Sequence, residues 1–336
     1  MIRTIDAHAA GGPLRLIVDG FPSPRGRTML EKRDWLADHA DHWRRAVMLE
    51  PRGHPDMCGA ILTEPVSPGS HAGVLFMHND GYAPMSGHGI IAVTVIALER
   101  GLITAENASS HLIFDTPAGT IRTRVDLRAG GAGGAEEIKV ERVAFLNVPS
   151  FVLHGGLTVL AGHRKVRVDV AFGGVFYAIV DSEAVGLPLD AAHLPELRRA
   201  GMEIVRAVEA IQTITHPVDA GLGGLDGTIF TAPPVDEGSA LRNVAVFATA
   251  AADRSPGGTG TAAVMAVVDA MGLIGPGTPF VHESLIGTRF IGRIAGRTTI
   301  GGYPAIVPEI EGAAWITGEH TFLIDEDDPL SAGFRI

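Results

Sequence analysis

Two stretches of this chain are apolar on nearly every side at helical length. Ile90 to Leu98 and Ala262 to Met271 carry no continuous polar stripe, so each predicts a helix buried all round at the centre of a domain. A strand-like run precedes each one, Gly73-Val-Leu-Phe-Met-His78 before the first and Val244-Ala-Val-Phe-Ala248 before the second. Each helix ends in Gly-Leu-Ile, where Gly101 and Gly272 suit a left-handed cap. A further strand is expected at Gly227-Thr-Ile-Phe230. Asp219 and Asp226 flank its approach; they read as turn caps, with lining a cleft as the alternative. Asp325-Glu-Asp-Asp328 reads as a solvated turn before the C-terminal strand.

Between strand and helix each copy has a glycine loop, and the two copies align without gaps. At an offset of 171 residues Gly87 meets Gly258, Gly89 meets Gly260, Ala92 meets Ala263, and Gly101-Leu-Ile meets Gly272-Leu-Ile. Two copies are too few for a solenoid and read as two related domains. Loops at helix N-termini present unpaired N–H groups and the positive end of the helix dipole, which suit an anion. Neither loop has the Lys-Ser/Thr ending of a nucleotide-binding loop, so a small carboxylate is the expected ligand.

Composition narrows the partners. At roughly 100–200 residues per domain, 336 residues with 46% hydrophobic content allow two domains. A net charge of -11 argues against nucleic acid. Arg44, Arg45 and Arg52 alternate with Asp41, Glu50 and Asp56 and read as a solvated helix face. With one cysteine, Cys58, neither an internal disulfide nor a CxxC metal site is available, and Cys58 itself reads as a small buried hydrophobe. The 14 histidines include no HExxH spacing; His54 and His78 are expected to anchor loops rather than bind metal. Gly221-Leu-Gly-Gly224 lacks the βαβ context of a dinucleotide site. No run approaches ~18 apolar residues and no signal-peptide pattern opens the chain, so a cytoplasmic protein with no membrane partner is expected. Ala129 to Ala135 reads as a flexible seam.

The sequence resembles the proline racemase family along nearly its whole length. The motifs are Asp6-Ala-His-Ala, Met48-Leu-Glu-Pro-Arg-Gly-His54, His78-Asn-Asp-Gly-Tyr82, Met85-Ser-Gly-His-Gly89, Asp253-Arg-Ser-Pro-Gly-Gly-Thr-Gly-Thr261 and His320-Thr-Phe-Leu-Ile-Asp-Glu-Asp-Asp-Pro-Leu330. The resemblance implies the two-domain fold shared with diaminopimelate epimerase. It also implies one acid/base residue on each glycine loop, facing opposite sides of the substrate α-carbon. Those positions are Ser86 and Gly257. Substrate contacts carry over onto Gly87, His88, Asp253, Gly258 and Thr259, with loop amides holding the carboxylate and Asp253 and His88 positioning the ring nitrogen or the base.

Two departures shape the functional reading. The family's racemases and epimerases have cysteine at both positions, because inversion needs a base on one face and an acid on the other. Here one is Ser86 and the other, Gly257, has no side chain. A branch acting as trans-3-hydroxy-L-proline dehydratase keeps one catalytic residue, since dehydration needs the α-proton removed from one face only. The segment from Met48 to Met57 and the ending Asp-Asp-Pro-Leu-Ser-Ala-Gly-Phe334 also resemble that branch. A serine base needs activation by the helix N-terminus and by His88 or a carboxylate, and serine is equally a favoured N-cap, so both roles stand open for Ser86. Gly12 stands where the family motif has a glutamate.

The expected fold is therefore α+β: two similar domains, 1–128 and 129–336, each a curved, mostly antiparallel sheet around a central helix, with the active site in the cleft between them and the C-terminal tail returning to the first domain. The expected activity is a cofactor-independent hydro-lyase forming 1-pyrroline-2-carboxylate, with no metal, nicotinamide or pyridoxal group. An epimerase of another imino acid using a water at Gly257, and a non-catalytic amino-acid binder, are the alternatives. A homodimer is left open.

Overall fold

The two all-apolar stretches are helices of equal length, Gly87–Glu99 and Gly258–Ala270, at the anticipated offset. The computed structural model describes residues 1–103, 111–128 and 138–335; the seam expected at Ala129 to Ala135 lies outside the described residues. In chain order the elements are β1 (Ile2–Ala9), β2 (Gly12–Asp19), α1 (Met29–His39), α2 (Asp41–Met48), β3 (Cys58–Thr63), β4 (Ala72–His78), β5 (Gly81–Ala83), α3 (Gly87–Glu99), β6 (His111–Thr116), β7 (Gly119–Arg128) and β8 (Lys139–Leu146). There follow β9 (Ser150–Ala161), β10 (Arg164–Phe172), β11 (Phe176–Asp181), α4 (Ser182–Val185), α5 (Leu194–Glu209), β12 (Leu225–Ala232), β13 (Leu241–Phe247), α6 (Gly258–Ala270), β14 (Phe280–Ser284), β15 (Arg289–Ile300), β16 (Tyr303–Gly312) and β17 (Ala314–Phe322). They form two units, Met1–Phe145 with Gly312–Ile336, and Leu146–Glu311.

Strand pairing repeats the relationship seen in sequence. In the first unit β17, β1, β2, β3, β4, β6 and β7 follow one another as neighbours, with β2–β3 and β4–β6 parallel and the other steps antiparallel. In the second unit β9, β10, β11, β12, β13, β14 and β15 repeat that succession, with β11–β12 and β13–β14 parallel. There β15 pairs with β16, and β16 returns to β9 through Ala305 and Ile306, closing the ring. Parallel steps need crossovers, and helices supply them: α1 and α2 between β2 and β3, α4 and α5 between β11 and β12, and the central helices for the other two. The fold is α+β and mostly antiparallel, as expected.

Burial follows the side-chain patterns. On β7, Ile121, Thr123 and Val125 are buried while Arg122, Arg124 and Asp126 are exposed, the period-two signature of a one-sided strand. α5 is amphipathic and buries Leu197, Gly201, Ile204, Val205 and Val208. α3 has no solvent face: Gly87 through Leu98 are all buried, packed against β1, β2, β3 and β17. α6 packs likewise against β9, β10, β11 and β15. At about 1.5–3 kcal/mol per buried aliphatic side chain, Ile90, Ile91, Val93, Val95, Ile96 and Leu98 make α3 the anchor of its unit. Gly101 and Gly272, just past the two helices, have φ of 63° and 73°, the left-handed stop that the sequence implied.

Two sequence readings need correction. Arg44 is not on a solvated face. It is 4% exposed, its guanidinium paired with Asp41 at 2.6 and 2.9 Å and donating to the carbonyls of His78 and Asn79 at 2.7 Å. α2 packs against β4, and the arginine reaches two carbonyls at the end of that strand. The last strand, β17, comes before the acidic turn at Asp325 rather than after it. Beyond the turn the tail's strand-type pairing is one isolated bridge, Phe334 to Glu50, among the described residues. Arg52 takes up the tail's polar groups instead, donating to Leu323 O, Ser331 O and the Asp328 carboxylate.

Candidate active site

Ser86 is the N-cap of α3. It has extended backbone angles, φ -141° and ψ 114°, and its Oγ accepts from Gly89 N at 3.2 Å. The β4–β5 hairpin delivers the chain to this point, and Gly89 permits the close packing behind it: a Cβ there would meet Phe76 at 2.5 Å. The cap thus takes up the Gly89 amide, one of the first-turn N–H groups that a helix start leaves without an intrahelical partner. Ser86 and His88 are 9% and 8% exposed, and His88 Nδ1 stands 3.5 Å from Ser86 Oγ. The third group here is Cys58, whose Sγ lies 4.0 Å from Ser86 Oγ. Cys58 is half-buried rather than a core hydrophobe, and only the pairing of β3 with β4 carries it to the serine.

The matched position in the second unit is Gly257, the N-cap of α6, with φ 73° and ψ 123°. Its loop is tightly held. Asp253 Oδ1 accepts from Ser255 N at 2.8 Å and Ser255 Oγ at 2.9 Å, and Ser255 Oγ accepts from Gly257 N at 3.1 Å. Asn243 Nδ2 donates to Pro256 O at 2.9 Å. One turn into α6, Thr261 Oγ1 meets His282 Nδ1 at 2.9 Å. Burial pushes the His282 imidazole down to about 3, so it is neutral at physiological pH. Gly258 and Thr259 contribute the first-turn amides.

Beside this loop stands a group that sequence motifs do not flag. Tyr177, buried on β11, places its hydroxyl 3.0 Å from Thr259 Oγ1. Burial raises the Tyr177 hydroxyl well above its ordinary value, with the charge of Asp226 adding to the effect. The Asp226 carboxyl is itself pushed up to about 6, chiefly by burial; a hydrogen bond with Tyr177 opposes the shift and the charge of Asp253 adds to it. Asp226 is thus coupled to the Asp253 loop, whereas Asp219 is the turn cap it was read to be, accepting from Gly221 N at 2.9 Å. The only sequence signal for Asp226 was its place at the approach to the Gly227–Phe230 run, and the structure puts it inside β12.

Other motif residues are structural. Arg15 is buried against the Asp6 carboxylate at 2.8 Å and donates to Val47 O and Arg52 O, tying the opening motif to the Met48–His54 segment. His54 Nδ1 contacts Pro55 O at 2.7 Å, and its carbonyl accepts from Asn79. His78 Nδ1 accepts from Asp80 N at 3.4 Å. Among the described residues no group of three or more His, Cys, Asp or Glu is placed to hold a metal ion. No helix among them is long and apolar enough to cross a membrane.

Comparison with known proteins places this arrangement. A trans-3-hydroxy-L-proline dehydratase of Bacillus thuringiensis subsp. konkukian is 42% identical over 333 residues, 99% of this chain and 97% of that protein. A 3-hydroxyproline 2-epimerase of Burkholderia multivorans is 39% identical over 336 residues, covering 100% and 98%. The crystal structure of a hydroxyproline epimerase from Agrobacterium vitis, with bound trans-4-hydroxy-L-proline, superposes with a TM-score of 0.90 at 29% identity, covering 100% of this chain and 95% of that one. The proline racemase family model matches residues 4–335, and with paired glycine-loop helices at its two matched N-caps this chain belongs to the proline racemase family.

Proposed function

We propose that the protein is a cofactor-independent hydro-lyase that removes water from trans-3-hydroxy-L-proline to give 1-pyrroline-2-carboxylate. One observation carries the reading: of the two matched helix N-caps, one bears a hydroxyl, Ser86, and the other, Gly257, bears nothing. Inversion needs a proton-transfer group for each face of the α-carbon; elimination needs one. The dehydratase relative at 42% identity supports the same choice.

In this mechanism Ser86 Oγ takes the α-proton. The N-terminal end of α3, beside Ser86, holds the substrate carboxylate and stabilises the charge that spreads onto it as the C–H bond breaks. His88, buried beside Ser86, positions the ring nitrogen. Hydroxide leaves from the β-carbon, and the enamine tautomerises to the cyclic imine. The same reading makes the substrate a small imino acid and the setting cytoplasmic.

The test is an NMR time course in deuterated water with trans-3-hydroxy-L-proline, trans-4-hydroxy-L-proline and L-proline. Conversion of the 3-hydroxy compound to the imine, with no α-exchange in the other two, is expected. Deuterium entering the α-position with inversion would replace this reading with an epimerase; binding of all three without reaction would replace it with a non-catalytic binder.

A further inference from the structure

In trans-3-hydroxy-L-proline the hydroxyl and the carboxylate lie on opposite faces of the ring, and the α-hydrogen lies opposite the carboxylate. The α-hydrogen and the departing hydroxyl therefore share a face, and the elimination is syn. The group that takes the proton and the group that protonates the leaving oxygen must stand on that one side, a few ångströms apart. Ser86 alone leaves a second need unmet, because a hydroxyl is a poor base unless its own proton has somewhere to go.

Resting on the dehydratase reading above, we propose that Cys58 is the second group. Its thiolate takes the hydroxyl proton of Ser86 as Ser86 takes the α-proton, and the thiol so formed then protonates the leaving 3-hydroxyl. The steps balance. The Cα–H bond breaks and a new Ser86 O–H forms, while the old Ser86 O–H breaks and an S–H forms. The C3–O bond then breaks with formation of the C2–C3 double bond, and the oxygen leaves as water with the proton from sulfur, regenerating the thiolate.

Geometry carries the assignment. Cys58 Sγ is 4.0 Å from Ser86 Oγ although the residues are 28 apart in sequence, a spacing that fits two groups acting on neighbouring ring substituents. Cys58 is the only cysteine in the chain, and it stands beside the position where the family's racemases carry their thiol. A thiol ionises far more readily than an alcohol and is matched to both accepting and returning a proton. The other titratable groups facing the pair are His88, 3.5 Å from Ser86 Oγ, and His78, the cross-strand partner of Cys58 on β4. His88 is already engaged with substrate in the reading above, and burial holds His78 toward its neutral form.

The experiment compares wild type, Cys58→Ala and Cys58→Ser on trans-3-hydroxy-L-proline across pH, with thermal unfolding as the check on folding. Both variants are expected to lose roughly 100-fold or more in kcat with little change in KM, and to lose the pH-dependent limb of the wild-type profile. In the unmutated enzyme, iodoacetamide should abolish activity in step with alkylation of the single thiol, and L-proline should protect it. A kcat within about threefold of wild type in either variant, a fall that leaves the pH profile unaltered, or full activity after complete alkylation would overturn the assignment. If wild type itself fails to dehydrate the substrate, the dehydratase reading falls, which is distinguishable from a variant that keeps pace with an active wild type.

Discussion

A Cβ built on Gly257 would lie 3.3 Å from Oδ2 of Asp253, on a backbone whose φ of 73° side-chain-bearing residues rarely adopt. The second N-cap thus differs from the first in more than its missing side chain: its backbone lies where a side chain is strained. Gly257→Cys should cost about 1–3 kcal/mol and should not confer inversion of L-proline. Thermal unfolding and chiral chromatography of the product check both parts; efficient racemisation by the variant would show that the loop readily adopts a cysteine-compatible geometry.

The matching cap at Ser86 carries a different expectation. Ser86→Ala removes both the hydroxyl and the cap bond to Gly89 N. Loss of the cap should cost about 1 kcal/mol, a small change in melting temperature, while turnover should fall by about 100-fold or more. Steady-state kinetics beside a melting curve separates the two, and a stability loss without an activity loss would reduce Ser86 to a cap.

Gly89 and Gly260 occupy equivalent positions on the two helices but face different neighbours. A methyl at Gly89 would come within 2.5 Å of the Phe76 ring and 2.9 Å of Ser86 Oγ, whereas at Gly260 it would meet the flexible end of Ile229 at 3.1 Å. Gly89→Ala should therefore destabilise by about 1–3 kcal/mol and displace the serine, and Gly260→Ala should be milder on both counts. Denaturant titration of both variants tests the contrast.

His282 gives stability a pH dependence with a definite sign. Its folded-state value of about 3 lies below the ordinary 6.5, so the unfolded chain takes up a proton that the folded chain refuses. The stability tied to this group is present above pH 6.5 and is lost as pH falls toward 3, at up to about 1.4 kcal/mol per pH unit. Asp226 works in the other sense: raised to about 6, its contribution is present below 3.8 and lost as pH rises through 6, so it partly offsets His282 between those values. His282→Asn should flatten the melting-temperature profile on the acid side; an unchanged slope would mean that the imidazole is not held neutral.

Much of this architecture was legible in the residues themselves. Glycine loops, all-apolar helices and Gly-Leu-Ile stops are short-range patterns, each complete within about 20 residues, and their spacing alone paired α3 with α6. Positions 86 and 257 were singled out by the family resemblance, which the short motifs around the two glycine loops carry. What local chemistry could not convey was which distant groups arrive at those caps. Arg44 reads as a surface charge until α2 is laid over the end of β4 and its guanidinium is buried. Cys58 reads as a small hydrophobe until β3 pairs with β4 and brings sulfur to Ser86.

Tyr177 and Thr259 are 82 residues apart and meet only because β11 packs against α6, a contact made by the sheet rather than by either segment. Local motifs, and the family resemblance they carry, determined the fold class, the two loop positions and the asymmetry between them. Tertiary packing decided the protonation environment of each cap, because burial and charge at a point depend on every strand that passes it.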